Sequence, residues 1–375
     1  MSTFDILVGG VAASDFTSKL TELEVEENLD LPGAFRLTLP ITATSDGDYD
    51  TVSDARLGPL SNIAVTAQAA DGQTHCLFDG YILAQEIHVD TGTAKSTVKV
   101  SGQDATWLMN VTETAKEWAD VTDGSVANTI FQTYGFIPDP GNLDDDSAAW
   151  SEDSATLMQR ASDAQFLRQL ARRDGKLFRV FCTDTPGQRT GYFGMPSLDG
   201  DPATTLILNP SDTANVGEFD ISWDVMRPSQ VVAMQALFSD NDSNGAGGTT
   251  DDDGLTPQAA QDLATFTGSG TPPVTAILTT TAADADTITA RARSTLREAG
   301  WFVRCEGATD AQRLGSVLRA GTIAQVNAAG AMHSGAYLVW SVRHHINTEK
   351  HEMRFVLVRN AVGTPGSNSG GGPLP

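Results

Sequence analysis

The sequence predicts a mainly β fold of the α+β class, with two barrel-like domains and inserted helix–strand units. Three observations predict it. Runs of strand length that alternate apolar and polar residues recur through the first hundred residues and again after residue 215. A few well-punctuated helices stand between them. The composition is 40% hydrophobic and 19% charged, with 35 glycines in 375 residues, which suits a turn-rich globular chain rather than a disordered one. A mass of 39.6 kDa leaves room for about two to three domains and a sizeable core.

The elements follow in order. Residues 34–39 (AFRLTL) alternate with period two, as a half-buried strand does. Residues 62–67, 76–86 and 96–101 behave likewise, with Asp71-Gly72 and Thr91-Gly92 as turn signals between them. An antiparallel sheet, closed or nearly closed, is therefore expected there, since closure removes exposed edges. A helix over 125–134 places Val126, Ile130 and Tyr134 on one face and stops at Gly135. A second, 162–174, opens with a capping box of Ser162 and Gln165, presents Phe166, Leu167, Leu170 and Ala171 to the core, and ends at Gly175. A third, about 284–299, aligns Ile288, Ala292 and Leu296 and ends at Gly300. The last two run into strands at 176–181 and 301–306.

Residues 231–237 read as a strand, and the acidic stretch 239–254 (SDNDSNGAGGTTDDDG) as a long exposed loop. Residues 337–345 and 352–359 form a hairpin pattern, and 363–375 a flexible tail. The expected organisation is a first β-barrel domain at 1–110, a helical or mixed connecting region at 111–215, and a second β-barrel domain at 216–362 carrying the acidic loop. No tandem repeat is visible.

Charge narrows the function. Forty-eight acidic against 24 basic side chains give a net charge of −24, which argues against electrostatic binding to nucleic acid or to an anionic membrane. No apolar run reaches the roughly 18 residues of a spanning helix. The N-terminal stretch lacks a basic n-region, and Asp5 interrupts its apolar run, so no secretory signal is expected. Cys76, Cys182 and Cys305 have no CxxC spacing and read as reduced thiols.

Catalytic patterns fail one by one. There is no GxSxG, and the Gly175-Lys176 pair has Leu170 where a P-loop needs its first glycine. His351-Glu352 opens like a zinc-protease helix, but Phe355 holds the second histidine position. His344, His345, His351 and Glu349 cluster in sequence. Adjacent histidines on a strand face opposite ways, so only one of the pair can join His351. The runs Asp144–Asp146 and Asp251–Asp253 read as solvated loops. Asp240, Asp242, Asn244, Gly245 and Asp251 match calcium-loop spacing, but Asp251 replaces the bidentate Glu and Gly247 the apolar eighth residue. No catalytic, cofactor-binding or metal-ligating residue is assigned.

The ordered motifs resemble the phage late control gene D family, which includes baseplate hubs of contractile tails and the hub half of the valine-glycine repeat proteins of type VI secretion. The resemblance runs from about residue 20 to 360. It is carried by 80–86 (GYILAQE) and 100–108 (VSGQDATWL), then 118–136 and 159–181 (QRASDAQFLRQLARRDGKLFRVF), then 284–306, Leu318-Arg319-Ala320-Gly321, and the hairpin from 335–344 through 355–360. The resemblance implies a non-enzymatic structural hub. It implies a homotrimer in which each subunit contributes two similar barrels, joining a sixfold tube to a threefold spike and lining the delivery channel. With no fused spike domain after Asn360, it also implies a separate spike protein. Tail tube, baseplate wedge and tape-measure proteins complete the expected partners, and a virion tail baseplate (or injection-system particle), assembled in the bacterial cytoplasm, the expected location. Two rival readings are a tail-associated cell-wall hydrolase and a calcium-dependent β-sandwich adhesin or binding module.

Overall fold

The structure, a computed structural model, describes residues 3–70, 72–91, 95–143, 150, 156–208, 213–235, 247–268, 270–280 and 285–364. The first part of the chain forms β1 (Thr3–Val8), β2 (Val11–Ala12), α1 (Ser14–Lys19), β3 (Glu22–Asn28), β4 (Ala34–Pro40), β5 (Asn62–Gln68), β6 (Thr74–His88) and β7 (Thr97–Asp104). The middle adds β8 (Glu113–Trp118), α2 (Asp123–Thr133), β9 (Ile137–Pro138), β10 (Leu157–Ser162), α3 (Asp163–Asp174), β11 (Leu177–Cys182) and β12 (Arg189–Gly194). Then come β13 (Thr204–Ile207), β14 (Glu218–Trp223), β15 (Gln230–Gln235), β16 (Gly247–Thr250), α4 (Leu263–Thr267), β17 (Thr275–Thr280) and α5 (Ala285–Gly300). The chain closes with β18 (Val303–Asp310), α6 (Ala311–Leu314), β19 (Ile323–Asn327), β20 (Gly335–Ile346) and β21 (His351–Arg359).

The expected mainly β, α+β class is found, but the barrels are not closed. Thirteen strands join in one sheet with the path β14-β18-β21-β20-β3-β4-β7-β6-β5-β1-β2, and β19 and β13 branch from β20. No sheet closes on itself among the described residues. The reason lies in β20. Its first residues pair with β19 (Leu338 opposite Ile323), and after an extra residue at Trp340 its second half pairs with β3 (Ser341 opposite Asn28, Ile346 opposite Leu23). A bulge of this kind re-aims a strand. The strands of the two halves therefore merge instead of each half curling shut.

The sheet contains a repeat hidden from the sequence. The strands β3, β4, β5, β6 and β7 pair with one another as β14, β18, β19, β20 and β21 do, in the same chain order. The registers match as well. Leu23 opposite Leu37 corresponds to Phe219 opposite Gly307, and Phe35 opposite Gly102 to Cys305 opposite Leu357. Val65 opposite Phe78 corresponds to Val326 opposite Gly335. Even the bulge recurs, at Leu83 in β6 and Trp340 in β20.

One face of the sheet supplies the core. Leu23, Val25, Leu37, Val100, Val342, Met353 and Leu357 are all buried in a cluster that spans both halves. Alternation along each strand sends every second side chain there. Gly102 serves the β6 bulge, because a Cβ at that position would lie 1.8 Å from the Tyr81 carbonyl oxygen.

The helices follow their punctuation. The first begins earlier than expected: Thr122 caps α2, its hydroxyl accepting from the Ser125 amide while Ser125 Oγ accepts from the Thr122 amide. Ser162 caps α3, and Gly175 ends it at φ 65°. That glycine also lets α3 meet α5, since a Cβ would lie 2.8 Å from Ser294 Cα. Phe166, Leu167 and Leu170 are buried with Phe131 and Phe178 in a second cluster, each contributing about 1.5–3 kcal/mol. The strand expected at 231–237 is β15, but it lies outside the large sheet. It pairs with β16 and, in parallel, with β17, and packs Val231 and Ala233 on Ile288, Ala292 and Leu296 of α5. Part of the expected acidic loop is thus the strand β16. The tail from residue 365 onward lies outside the described residues.

Candidate functional site

The other face of the large sheet carries charged side chains that stay exposed or half-exposed. Cross-strand partners share a face, so the register writes its surface row by row. In one row Arg354 stands opposite Arg343, and Arg343 opposite Glu26. The two like charges are tolerated because Glu26 bonds Arg343 at 2.8 Å and Glu218 reaches Arg354 at 3.3 Å. In the next row Asp310, Glu352, His345, Glu24 and Arg36 follow across five strands. There His345 lies 3.3 Å from Glu24, and Arg36 lies 3.2 Å from the same carboxylate. Arg304 pairs with Glu306 at 2.9 Å. Glu22, Thr38, Lys99 and Glu86 make a further row.

Two properties result. Carboxylates outnumber cations: Glu22, Glu24, Glu26, Glu86, Glu218, Asp220, Glu306, Asp310 and Glu352 face Arg36, Lys99, Arg304, Arg343 and Arg354. Each of those four arginines also has a carboxylate within 3.4 Å. Exposed pairs like these contribute about 0–1 kcal/mol each. Their effect is on the surface itself, which is wet, acidic and without a row of uncompensated guanidiniums. Pairing shows in the titration too: Glu26 raises the Arg343 guanidinium, and Lys350 lowers the Glu352 carboxyl.

Beneath this face a buried polar cluster joins the parts of the chain. Glu27 points inward from β3. Arg319, in the turn before β19, bonds its carboxylate at 2.7 and 3.0 Å. The same guanidinium donates to the carbonyl oxygens of Cys76 (2.8 Å), Cys182 (3.0 Å) and Thr183 (3.2 Å), tying β3 to β6 and β11. His344 Nε2 lies 3.2 Å from Glu27, and His344 Nδ1 lies 2.9 Å from His351 Nε2. Neutral rings satisfy this chain if His351 Nε2–H donates to His344 Nδ1 and His344 Nε2–H donates to Glu27. Burial acts to raise Glu27, but Arg319 and His344 outweigh it and hold the carboxyl below its ordinary value. Burial, with His344 alongside, pushes His351 down to about 3.

The histidines part as strand geometry requires: His344 joins His351 inside, and His345 lies on the charged face. Glu349 is in the exposed turn, bonded through its amide to Asn347, and does not join them. Ligand atoms of Glu22, Glu24 and His345 lie within 4.8 Å of one another, and two of the three, His345 Nδ1 and Glu24 Oε1, are 3.3 Å apart. Asp252 holds Arg293 at 2.6 Å, and Asp253 accepts from the Leu255 amide. Asp240, Asp242, Asn244, Gly245 and Asp144–Asp146 lie outside the described residues.

Sequence reasoning missed a buried acid pair. Asp123, in the first turn of α2, and Asp174, the last residue of α3, share Arg173, and Trp150 Nε1 donates to Asp123 at 2.9 Å. Burial and Asp123 push Asp174 up to about 8. Both carboxyls are almost fully enclosed, so the pair fastens helix to helix. Nothing in the local sequence marks it, because the two residues lie 51 positions apart.

The family model described as the Alg8 N-terminal domain matches residues 1–348. The chain belongs to that family. No curated protein matches the chain in sequence. In fold it is similar to the 43 kDa tail protein of prophage MuSo2 from Shewanella oneidensis, at 16% identity, covering 96% of this chain and 100% of that one, TM-score 0.68. It is also similar to a tail protein from Neisseria meningitidis MC58, at 13% identity, covering 97% and 98%, TM-score 0.67. A third likeness is to the E. coli c3393 protein, a component of the type VI secretion system, at 12% identity, covering 96% and 79%, TM-score 0.56. The chain thus has a fold found in phage tail and type VI secretion proteins. The resemblance to the late control gene D family reaches this architectural level, while the matching family model carries a different description. No described helix is long and apolar enough to cross a membrane.

Proposed function

We propose that this protein is the baseplate hub of a contractile tail: a trimeric ring that joins a sixfold tail tube to a threefold spike and lines the delivery channel with its charged sheet face. The observation that carries the reading is the internal five-strand repeat in matching register. One chain offers two equivalent positions, so three chains offer six. A threefold assembly can then present a quasi-sixfold rim to the tube and a true threefold rim to the spike. The fold shared with tail and type VI secretion proteins supports the same reading.

In this role the protein works as a structural part rather than an enzyme. The polar face repels a passing phosphate backbone through its excess of carboxylates, and the paired arginines give that backbone nothing to hold. The partners proposed are the spike, tail tube, wedge and tape-measure proteins, in the baseplate of a virion or a related injection particle. Electron microscopy of the purified protein tests the reading. Ring-shaped averages with three subunits and six similar lobes are expected, and averages without a ring would overturn it.

A further inference from the structure

Two of the three cysteines meet in the fold. Cys76 stands on β6 and Cys182 ends β11, 106 positions away. The Cys76 amide donates to the Thr183 carbonyl oxygen at 3.0 Å, and the Cys182 thiol donates to the Cys76 carbonyl oxygen at 2.9 Å. The sulfur atoms are neighbours as well, since the Cys76 thiol is the group that acts most strongly on the Cys182 thiol. Both cysteines are free and almost fully enclosed. The third, Cys305, lies on β18 opposite Leu357.

The pair borders a small hollow. Cys182 lines a cavity of about 40 Å³ together with Leu77, Phe78, Arg179 and Arg319. One water needs about 10–15 Å³ of cavity, so a molecule the size of hydrogen peroxide fits there and a bulky disulfide reagent does not. The Arg319 guanidinium in the wall bonds the carbonyl oxygens of both cysteines, at 2.8 and 3.0 Å. That cation favours the thiolate, the form that reacts. The Cys76 thiol and burial act the other way and hold the Cys182 thiol well above its ordinary value, so the reaction is slow at neutral pH.

We propose that Cys182 and Cys76 are an oxidation site, at which hydrogen peroxide entering this cavity links the two residues as a disulfide. Cys182 gives up its proton, and its sulfur attacks one peroxide oxygen. The O–O bond breaks, and the departing oxygen takes the electron pair and a proton to leave as water. The Cys76 sulfur, losing its own proton, then attacks the resulting sulfenic acid; the S–S bond forms, the S–O bond breaks and a second water leaves. Two thiols and one peroxide become one disulfide and two waters, the thiols giving two electrons to the peroxide. The new bond fastens β6 of the large sheet to β11 of the inserted region, beside the Arg319 clamp. For a particle that leaves the reducing cytoplasm, a purpose that rests on the tail reading above, it adds a covalent tie where oxidants are met. The chemistry itself does not depend on that reading.

Thiol counting by mass tests this. The full-length protein is treated with hydrogen peroxide, then unfolded in guanidinium with iodoacetamide and weighed. Wild type should take up one label, on Cys305, instead of three, and reduction before labelling should restore all three. Cys182→Ser should keep both of its labels, because Cys76 does not line the cavity. Cys76→Ser should lose the Cys182 label and hold a sulfenic acid there, read as one dimedone adduct. The rate of label loss in wild type should rise about tenfold per pH unit between about pH 7 and 9, as the thiolate fraction does. Three labels on peroxide-treated wild type would overturn the proposal, as would a link to Cys305 in peptide mapping or a link between copies on a non-reducing gel. A chain that forms the disulfide but is monomeric by mass would overturn the trimeric hub and leave this site standing.

Discussion

Removing Arg319 is the most informative perturbation of the single chain. Its guanidinium makes two bonds to Glu27 and three to carbonyl oxygens of β6, β11 and the following residue. Arg319→Ala leaves Glu27 and three carbonyls without that partner in a buried site, and breaking a buried pair from one side costs about 3–5 kcal/mol. Unfolding entropy near 2.1 cal/mol/K per residue makes 1 kcal/mol worth roughly 1.3 °C in a chain of this length, so the melting temperature should fall by roughly 4–6 °C. Scanning calorimetry reads this directly. Glu27→Gln in the Arg319→Ala background should recover part of the loss, because the stranded charge is then gone. The acid limb gives a second check. A carboxyl held below its ordinary value in the fold contributes stability that is present above the unfolded pKa and lost as pH falls through the folded one. The stabilising contribution of Glu27 should therefore disappear below about pH 4 in the parent and be absent throughout in Arg319→Ala. A drop under about 1 °C, with no recovery in the double variant, would refute the role given to this cluster.

Other perturbations follow from the same geometry. Asp174 is raised to about 8 by burial and Asp123, so the folded chain keeps a proton that the unfolded chain releases from about pH 4; its contribution is full below that pH and lost as pH rises through 8. Asp174→Asn should therefore flatten the decline in stability between about pH 4 and 8 in urea titrations. Gly102→Val puts a side chain against the Tyr81 carbonyl oxygen and should cost about 3 kcal/mol or more, read as a shifted urea midpoint; a neutral variant would remove the close approach from the account. Reversing Glu24, Glu26 and Glu306 together to Lys should turn a protein that leaves duplex DNA unshifted in gel mobility into one that retards it at low salt and releases it at high salt. No retardation would separate the charged face from any effect on nucleic acid.

How much of this was legible in the sequence depends on the range of the interaction. Ser162 with Gly175, and the alternation of β4, are local signals, and the structure places α3 and that strand where the signals point. His344 and His345 parted as adjacent strand residues must. The barrels were not legible as such, because closure depends on which strand β20 meets after Trp340, a pairing between residues more than 300 positions apart. The repeat was invisible for a related reason. Register and polarity are shared between the two five-strand units, but residue identity is not: Gly102 answers to Leu357, and Phe35 to Cys305. The charged rows that the glutamates of β3 form with β20, β21 and β18 were not legible, because they depend on cross-strand register. The Asp123–Arg173–Asp174 cluster was equally hidden, being assembled by helix packing.

The mass of the purified chain in solution, by light scattering during gel filtration, tests the central claim most directly. Three copies of 39.6 kDa amount to about 119 kDa, and a single peak of that mass, stable on dilution, is the expected result. A peak near 40 kDa at every concentration, or an even-numbered assembly, would contradict the threefold hub.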